Sequence, residues 1–461
     1  MDSWQVFRYN SSDMDTKKQK KVYVAMSGGV DSSVAAVLLK EQGYFVVGVF
    51  MKFWSPSAEA TGDKSPKSRG QSPWATVPNP AVPGCIWKEE RRDALRVAAK
   101  LGVPLLTWDF TKEYGEKVAT YMLEAYKAGI TPNPDIMCNK EIKFGLFFDK
   151  AMAEGADYVA TGHYARINVI NGQQTNGQQI HNPHPNLLPE GEGTPSPGVT
   201  GEGRGEDNDI RCSSLGGSSF IYELCQAVDK NKDQSYFLYT LKQRHLERTL
   251  FPIGDYTKPE VRELAKKFDL PTAEKKDSQG VCFIGPLKMK SFLKDYIKPK
   301  KGLVKRIDGR TLGEHDGAWY YTIGQRHGFD IKDGGGPYYI IGKDVKKNEI
   351  YVGDKDDLYS DEAKVSNVHW IGEVPKLPIK VGVKIRYRSP AEPAMVYGSQ
   401  LEASNNISSS LDTSISPNFD LTIRFDLPIR AITPGQAAVF YDREVVLGGG
   451  TISSSPLTGK N

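Results

Sequence analysis

Three short segments hold residue types suited to chemistry rather than packing. The first is S-G-G-V-D-S-S, residues 27–33, directly after an apolar run. Gly28 and Gly29 lack a Cβ, so their backbone amides can approach a ligand closely. Ser27, Ser32 and Ser33 can donate hydrogen bonds, and a helix starting here would turn its positive end toward an anion. The lysine of the common phosphate loop, G-x-x-x-x-G-K-[ST], is missing, and that motif has no match in the chain. A tight turn with Asp31 as helix N-cap is the plainer alternative. The strand before, the helix after and the flanking serines favour phosphate. Asp31 beside bound phosphates would repel them unless a cation stood between, which points to Mg2+.

The other two segments hold cysteines. Cys138 lies in TPNPDIMCNKEIKFG (131–145), just before a helix predicted near 140–154. A helix start and Lys140 would favour its thiolate. Pro132 and Pro134 stiffen the turn and present Asn133 and Asp135. Cys282 lies in KKDSQGVCFIG (275–285), with Lys275 and Lys276 nearby. For each cysteine, a small core thiol is an equally good account. The five cysteines, Cys85, Cys138, Cys212, Cys225 and Cys282, are scattered and form no C-x-x-C. That argues against a disulfide framework or a zinc site.

The elements that must position these segments alternate. Strands are predicted at 21–26, 45–50, 103–110 and 156–165, with helices after the glycine loop, at 89–102, at 117–129 and near 140–154. Val34, Val37 and Leu38 would share one face of the first helix. The pattern predicts an α/β fold with a doubly wound parallel sheet over 21–240, whose ligands sit at the carboxyl ends of the strands. Residues 241–300, which carry Cys282, read as mostly helical. Thr257 and Glu260 form a capping box, and Val261, Leu264, Ala265 and Phe268 an apolar stripe. From 301 the chain is β-rich, with AWYYTI, GPYYIIGK, EIYVG, VKIRYR and LTIRF as strands. We expect a small β domain at 301–362 and a C-terminal β-barrel-like domain at 363–461. Residues 1–20 read as a disordered leader. Residues 55–84, 171–219 and 396–419 are polar, poor in apolar residues and read as loose insertions.

With 461 residues, 39% apolar and 25% charged, the chain is long enough for two to four domains. Net charge is only +4, so a nucleic-acid partner needs a local basic face. Lys384, Arg386 and Arg388, at period two in VKIRYR, would form one. The longest apolar runs are too short for a bilayer, and the first residues contain no apolar signal core. A cytoplasmic protein with no membrane partner is expected.

The loop resembles the pyrophosphate loop of the ATP pyrophosphatase superfamily, whose members adenylate a substrate oxygen. It does not by itself choose among them. Longer segments resemble the tRNA 2-thiouridylases: FMKFW (50–54), TPNPDIMCNKEIKFG, ATGHYAR (160–166), NKDQSYFLYTL (231–241), FPIGDYTKPEVRELA (251–265), KKDSQGVCFIG, YYTIGQRHG (320–328), GPYYIIGKDVKKNEIYV (336–352), IRYRSP (385–390) and ITPGQAAVFYDREVVLGGGTI (432–452). They run in the family order through all the predicted parts.

This resemblance implies ATP-dependent 2-thiolation of the wobble uridine of tRNA, yielding 2-thiouridine, AMP and pyrophosphate, with ATP and Mg2+. By the same resemblance, Ala25, Met26, Ser27, Gly28, Gly29, Val30, Asp31 and Ser32 hold ATP, and Met51 and Gly162 line its adenosine. Asn133, Pro134 and Asp135 meet the target base, with Asp135 as a proton donor or acceptor. Lys232, Asp233 and Gln234, and Arg386 with Tyr387, contact tRNA. Cys282 would carry a persulfide received from a sulfur donor protein. Cys138 would release sulfide from it or resolve it as a disulfide. Ala25 stands where the family often has glycine, and Gly84 with Cys85 where it often has paired cysteines. Cys212 and Cys225 are expected to be bystanders. Two rivals remain: a small-molecule ATP pyrophosphatase, which needs no second cysteine, and a catalytically silent RNA-binding protein on the same scaffold.

Overall fold

The computed structural model describes residues 19–53, 86–171, 220–276, 289–331, 335–398 and 420–454. Residues 1–18, nearly all of the three insertions, and 277–288 with Cys282 lie outside these, as do Cys85 and Cys212.

In chain order the first strands are β1 (Lys21–Ala25), β2 (Phe45–Lys52), β3 (Leu105–Asp109), β4 (Tyr158–Thr161), β5 (Ala165–Asn171), β6 (Phe220–Gln226) and β7 (Thr249–Leu250). Five of them form a parallel sheet in the order β3-β2-β1-β4-β7. Val22 and Val24 of β1 face one buried cluster, and Tyr23 and Ala25 face the other. Burial on both faces is why the strand reads as a continuous apolar run. The strand order reverses between β1 and β4, and in such sheets the crevice there is the ligand site.

Helix α1 (Val30–Glu41) follows β1, and helix α2 (Ile86–Leu101) precedes β3. The expected one-sided stripe on α1 understates its burial: every residue from Ser32 to Leu39 is buried. The sheet covers one side, and α2 and the helix Lys258–Lys267 cover the others. That last helix has the predicted capping box, with the Thr257 amide donating to Glu260 Oε2 at 2.7 Å. Val261 and Ala265 are its most buried residues.

A five-stranded sheet follows, of β8 (Gly302–Arg306), β9 (Thr311–His315), β10 (Asp330–Ile331), β11 (Tyr339–Asp344) and β12 (Glu349–Gly353). AWYYTI is not a strand. Ala318–Tyr320 form a short helical turn, anchored where Tyr321 donates to Asp316 Oδ1 at 2.8 Å.

The last unit comprises β13 (Tyr359–Trp370), β14 (Ile379–Lys384), β15 (Glu392–Gly398), β16 (Leu421–Arg430), β17 (Ala437–Asp442) and β18 (Val445–Ser454). Pairing of β13 with both β16 and β18 closes these six into an antiparallel barrel. The β5–β6 hairpin, which flanks the second insertion, joins this barrel through β18. Asn171 ends β5, and β15 runs to Gly398, so strand extends into the edges of two predicted insertions.

Candidate active site

Residues 26–29 link the carboxyl end of β1 to α1, at the switch point. Gly28 has φ +73°, and a Cβ there would lie 2.2 Å from the Glu90 carbonyl oxygen. Backbone conformation and contact with α2 both demand glycine. Gly29, not Asp31, is the helix N-cap, and no side chain caps the first turn. The first amides of α1 are therefore left to face a ligand. Ser32 Oγ accepts from the Ser27 amide at 3.2 Å, and Ser33 Oγ donates to the Gly29 carbonyl at 2.7 Å. Ser33 is thus turned inward, whereas Ser27 is exposed.

Two lysines far along the chain reach this loop. Lys258 Nζ lies 2.7 Å from Asp31 Oδ1, which also accepts from the Tyr164 hydroxyl at 2.9 Å. Lys275 Nζ donates to the Gly28 carbonyl at 2.9 Å and pairs with Asp93 at 2.7 Å. Burial pushes the Glu90 carboxyl up, against the pull of Lys275. Lys258 thus sets one positive charge beside Asp31. Among the described residues no group of three His, Cys, Asp or Glu side chains is placed to hold a metal. A Mg2+ ion would depend on substrate phosphates for most of its ligands, its usual mode.

Gly162 ends the crevice on the β4 side. A Cβ there would sit 2.6 Å from the Ser32 amide nitrogen, so its glycine is needed for α1 to abut β4. The α1 backbone thus fills the side on which a Cβ would stand. Met51 is half-buried and packs on the cluster that contains Ala25.

Cys138 belongs to that same cluster and is 1% exposed. The sequence reading put it before a helix; it lies inside one. Asn133 is the N-cap, accepting from the Ile136 amide at 3.3 Å, and Pro134 opens the helix Pro134–Cys138. The chain then widens to π pitch over Asn139–Phe147, a local irregularity often found at functional sites. Asn133, Pro134 and Asp135 therefore form the helix start, with Asp135 half-buried.

The other expected contacts are partly internal. Asp233 is buried, and its Oδ2 lies 3.1 Å from Lys384 Nζ. Gln234 and Tyr164 exchange two hydrogen bonds, Gln234 N to Tyr164 O at 2.8 Å and Tyr164 N to Gln234 Oε1 at 3.0 Å. Lys232 is half-buried. The chain Gln234–Tyr164–Asp31–Lys258 thus ties this segment to the glycine loop. The predicted basic face on VKIRYR is not there. β14 ends at the buried Lys384, and the backbone turns, with Arg388 at φ +64°. Arg386 is half-buried and donates to Ala431 O and Thr433 Oγ1. Tyr387 packs on Phe237 at 4.5 Å between ring centres, and the Arg388 guanidinium lies 5.1 Å from the Tyr387 ring centre. Cys225 is buried on β6, its thiol pushed up to about 12 by burial and Glu223, as suits a bystander.

Three family profiles match in succession. They are described as tRNA methyl transferase HUP domain (residues 20–186 and 214–286), tRNA methyl transferase PRC-barrel domain (290–354) and aminomethyltransferase beta-barrel domain (360–452). A curated relative, tRNA-specific 2-thiouridylase MnmA 2 of Geobacillus kaustophilus, is 40% identical over 94% of this chain and 95% of its own. The tRNA-specific 2-thiouridylase MnmA of Bacillus thuringiensis is 39% identical over 96% of this chain and 97% of its own. The chain belongs to the tRNA-specific 2-thiouridylase family. Among solved structures, the NMN synthetase of Francisella tularensis aligns over 57% of this chain and 67% of its own at 14% identity, with a TM-score of 0.25. No described helix is long and apolar enough to cross a membrane.

In this 2-thiouridylase family member, sequence reasoning missed Tyr164, Lys258 and His163. All three lie inside the segments that carry the family resemblance, but only the fold shows that the first two meet Asp31. His163 is buried, with Nδ1 2.7 Å from Thr161 Oγ1 and Nε2 3.3 Å from Lys143 Nζ. Burial and Lys143 hold its pKa well below the usual histidine range. A neutral ring fits both contacts: Nε2 accepts from the ammonium, and Nδ1–H donates to the threonine. Cys282 lies outside the described residues, though Lys275, seven positions earlier, already touches the loop.

Proposed function

We propose that this protein catalyses the ATP-dependent 2-thiolation of the wobble uridine of tRNA. The observation that carries the reading is a glycine loop with uncapped helix amides at the switch point of a parallel sheet, in a chain of this family. Residues 25–32 hold the phosphates of ATP, with Met51 and Gly162 at the adenosine side. Mg2+ accompanies the ATP.

The uracil O2 attacks the α-phosphorus, and pyrophosphate leaves. This converts a poor leaving oxygen into a good one. Cys282 receives a sulfane sulfur from a donor protein and holds it as a persulfide. The terminal sulfur bonds to C2, and the oxygen departs with AMP. Cys138 attacks the Cys282 Sγ and forms a Cys138–Cys282 disulfide that a thiol then reduces; the sulfur expelled is either free sulfide, which then attacks C2, or the sulfur already bonded to C2. Because Cys138 is buried here, the reaction requires that its thiol become accessible in the complex. Asn133, Pro134 and Asp135 meet the base, and Asp135 handles its proton. Lys232, Arg386 and Tyr387 face the RNA, while Asp233 and Gln234 hold the Lys232 segment in place.

Nucleoside mass spectrometry of tRNA treated with enzyme, ATP, Mg2+ and a persulfide donor tests this. 2-Thiouridine at the wobble position is the expected product. A Cys282→Ser variant should bind tRNA and ATP but form none. Thiolation at the normal rate by that variant overturns the sulfur relay, and no thiolated uridine with the wild type overturns the reading.

A further inference from the structure

A cleft of about 190 Å3 opens where all three folded units meet. Gly129 and Thr131 come from the α/β unit, Ile323 and Lys343 from the five-stranded unit, and Thr433, Pro434 and Ser453 from the barrel. At roughly 30 Å3 per water it has room for about six waters, or for a group of comparable bulk.

Lys343 is the one charged residue among the described residues that line it. The ammonium donates to the Tyr321 carbonyl at 2.7 Å, and no carboxylate pairs with it among the described residues. An ammonium has three protons to place, so one carbonyl leaves it under-satisfied. Burial accordingly pulls its pKa down to about 8. Around it the lining is rich in hydroxyls: Thr131, Thr433 and Ser453. One positive charge, spare donors and no acid make a place for an anion.

The cleft also lies between two segments assigned above to the RNA. Thr131 lies two residues before Asn133, at the start of the turn leading to Asn133–Asp135, and its amide donates to Pro434 O at 3.2 Å. On the other side, Thr433 Oγ1 accepts from Arg386 at 3.3 Å. A backbone running from Arg386 to the base site has to pass this junction.

We propose that the cleft seats one phosphodiester of the tRNA backbone, with Lys343 as its counter-charge and the hydroxyls of Thr131 and Ser453 as donors, the Thr433 hydroxyl being committed to the Ala431 carbonyl. This rests on tRNA being the substrate. The seat would make RNA binding depend on the three units being docked together.

The test is tRNA affinity of the full-length protein across a range of salt, for the wild type, Lys343→Met and Ser453→Asp. Each neutralised phosphate contributes about 0.7–0.9 to the slope of log K against log salt. Lys343→Met should lower the slope by about that amount and weaken binding several-fold at low salt. Ser453 is exposed, so Ser453→Asp should fold normally and weaken tRNA binding in the same direction. Lys343→Arg should retain the wild-type slope. Wild-type affinity and slope in both Lys343→Met and Ser453→Asp overturn the seat. If Lys343→Met does not fold, wild-type behaviour of Ser453→Asp alone overturns it. Failure of the wild type to bind tRNA overturns the functional reading instead.

Discussion

Asp233 offers a sharp test, because a residue that touches RNA and one that braces the fold respond differently. Its Oδ2 lies 3.1 Å from Lys384 Nζ, and the two side chains are 2% and 11% exposed. Oδ1 accepts from the Ala227 and Ser235 amides, both at 3.2 Å, and Oδ2 accepts from Ser235 Oγ at 3.0 Å. The carboxylate is therefore enclosed, and its counter-charge comes from the barrel. Lys384→Met leaves a buried, unpaired carboxylate and should cost about 3–5 kcal/mol. Asp233→Asn strands the ammonium and should cost a similar amount. The double variant removes both charges, so its cost should fall short of the sum, with a coupling of about 1–3 kcal/mol. Calorimetry should show each single variant losing about 6 °C or more in the transition that carries the barrel. Filter binding well below that transition should show tRNA affinity changed by less than about twofold, since ~0.4 kcal/mol is the corresponding energy. An Asp233→Asn protein with wild-type melting and tenfold weaker tRNA binding would refute the argument and make Asp233 an RNA contact.

Gly28→Ala forces a Cβ into the left-handed region, about 1–2 kcal/mol, and against the Glu90 carbonyl, about 1–3 kcal/mol more. Calorimetry should show lower melting and titration should show lost ATP binding; wild-type values for both would contradict the loop geometry. Lys258→Met leaves Asp31 facing the phosphates, so kcat/KM for ATP should fall about tenfold or more, with steeper Mg2+ dependence. Adding Asp31→Asn should restore part of the loss, and no restoration would exclude this charge role. His245 has its pKa lowered to about 4 by burial, with nearby Arg244 and Lys242. The unfolded chain then binds the extra proton first, so stability falls as pH drops from about 6.5 toward 4. Urea midpoints across that range should show the fall, and His245→Asn should flatten it; equal slopes would exclude His245 as its source.

What the sequence made legible was local. The β1–loop–α1 unit, the capping box at Thr257 and the β-rich final third follow from periodicity and turn chemistry, and the structure has them. What it concealed was contact between distant segments. Period two on VKIRYR is a valid strand signal only while the strand lasts, and β14 stops at Lys384. AWYYTI has β-prone residues, but a short helical turn lets Tyr321 reach Asp316. Gly162 reads in the sequence as a ring contact or a strand-end turn, and only the fold shows that the approach of α1 also requires a glycine there. The helix at Cys138 begins earlier than its apolar pattern suggests. The start is set by the Asn133 cap and Pro134, not by hydrophobic spacing.

The barrel's position bears on the chemistry as well as on RNA binding. Gln436 Nε2 donates to Thr131 O at 2.9 Å and Pro132 O at 3.1 Å, fixing the turn that presents Asn133. Gly435 approaches so closely that a Cβ would lie 2.2 Å from Ile130 Cγ2. From the other direction, the β5–β6 hairpin hydrogen-bonds onto β18, and Lys384 holds Asp233. The helix start that bears Asp135 and Cys138 is thus clamped by the barrel at one end, and at the other Cys138 shares a buried cluster with Ala25, the last residue of β1. On the proposed function, RNA contact with Arg386 and Tyr387 that shifted the barrel would reach Cys138 through that turn. On that reading, a buried thiol between the glycine loop and the barrel is placed so that substrate docking can govern its exposure.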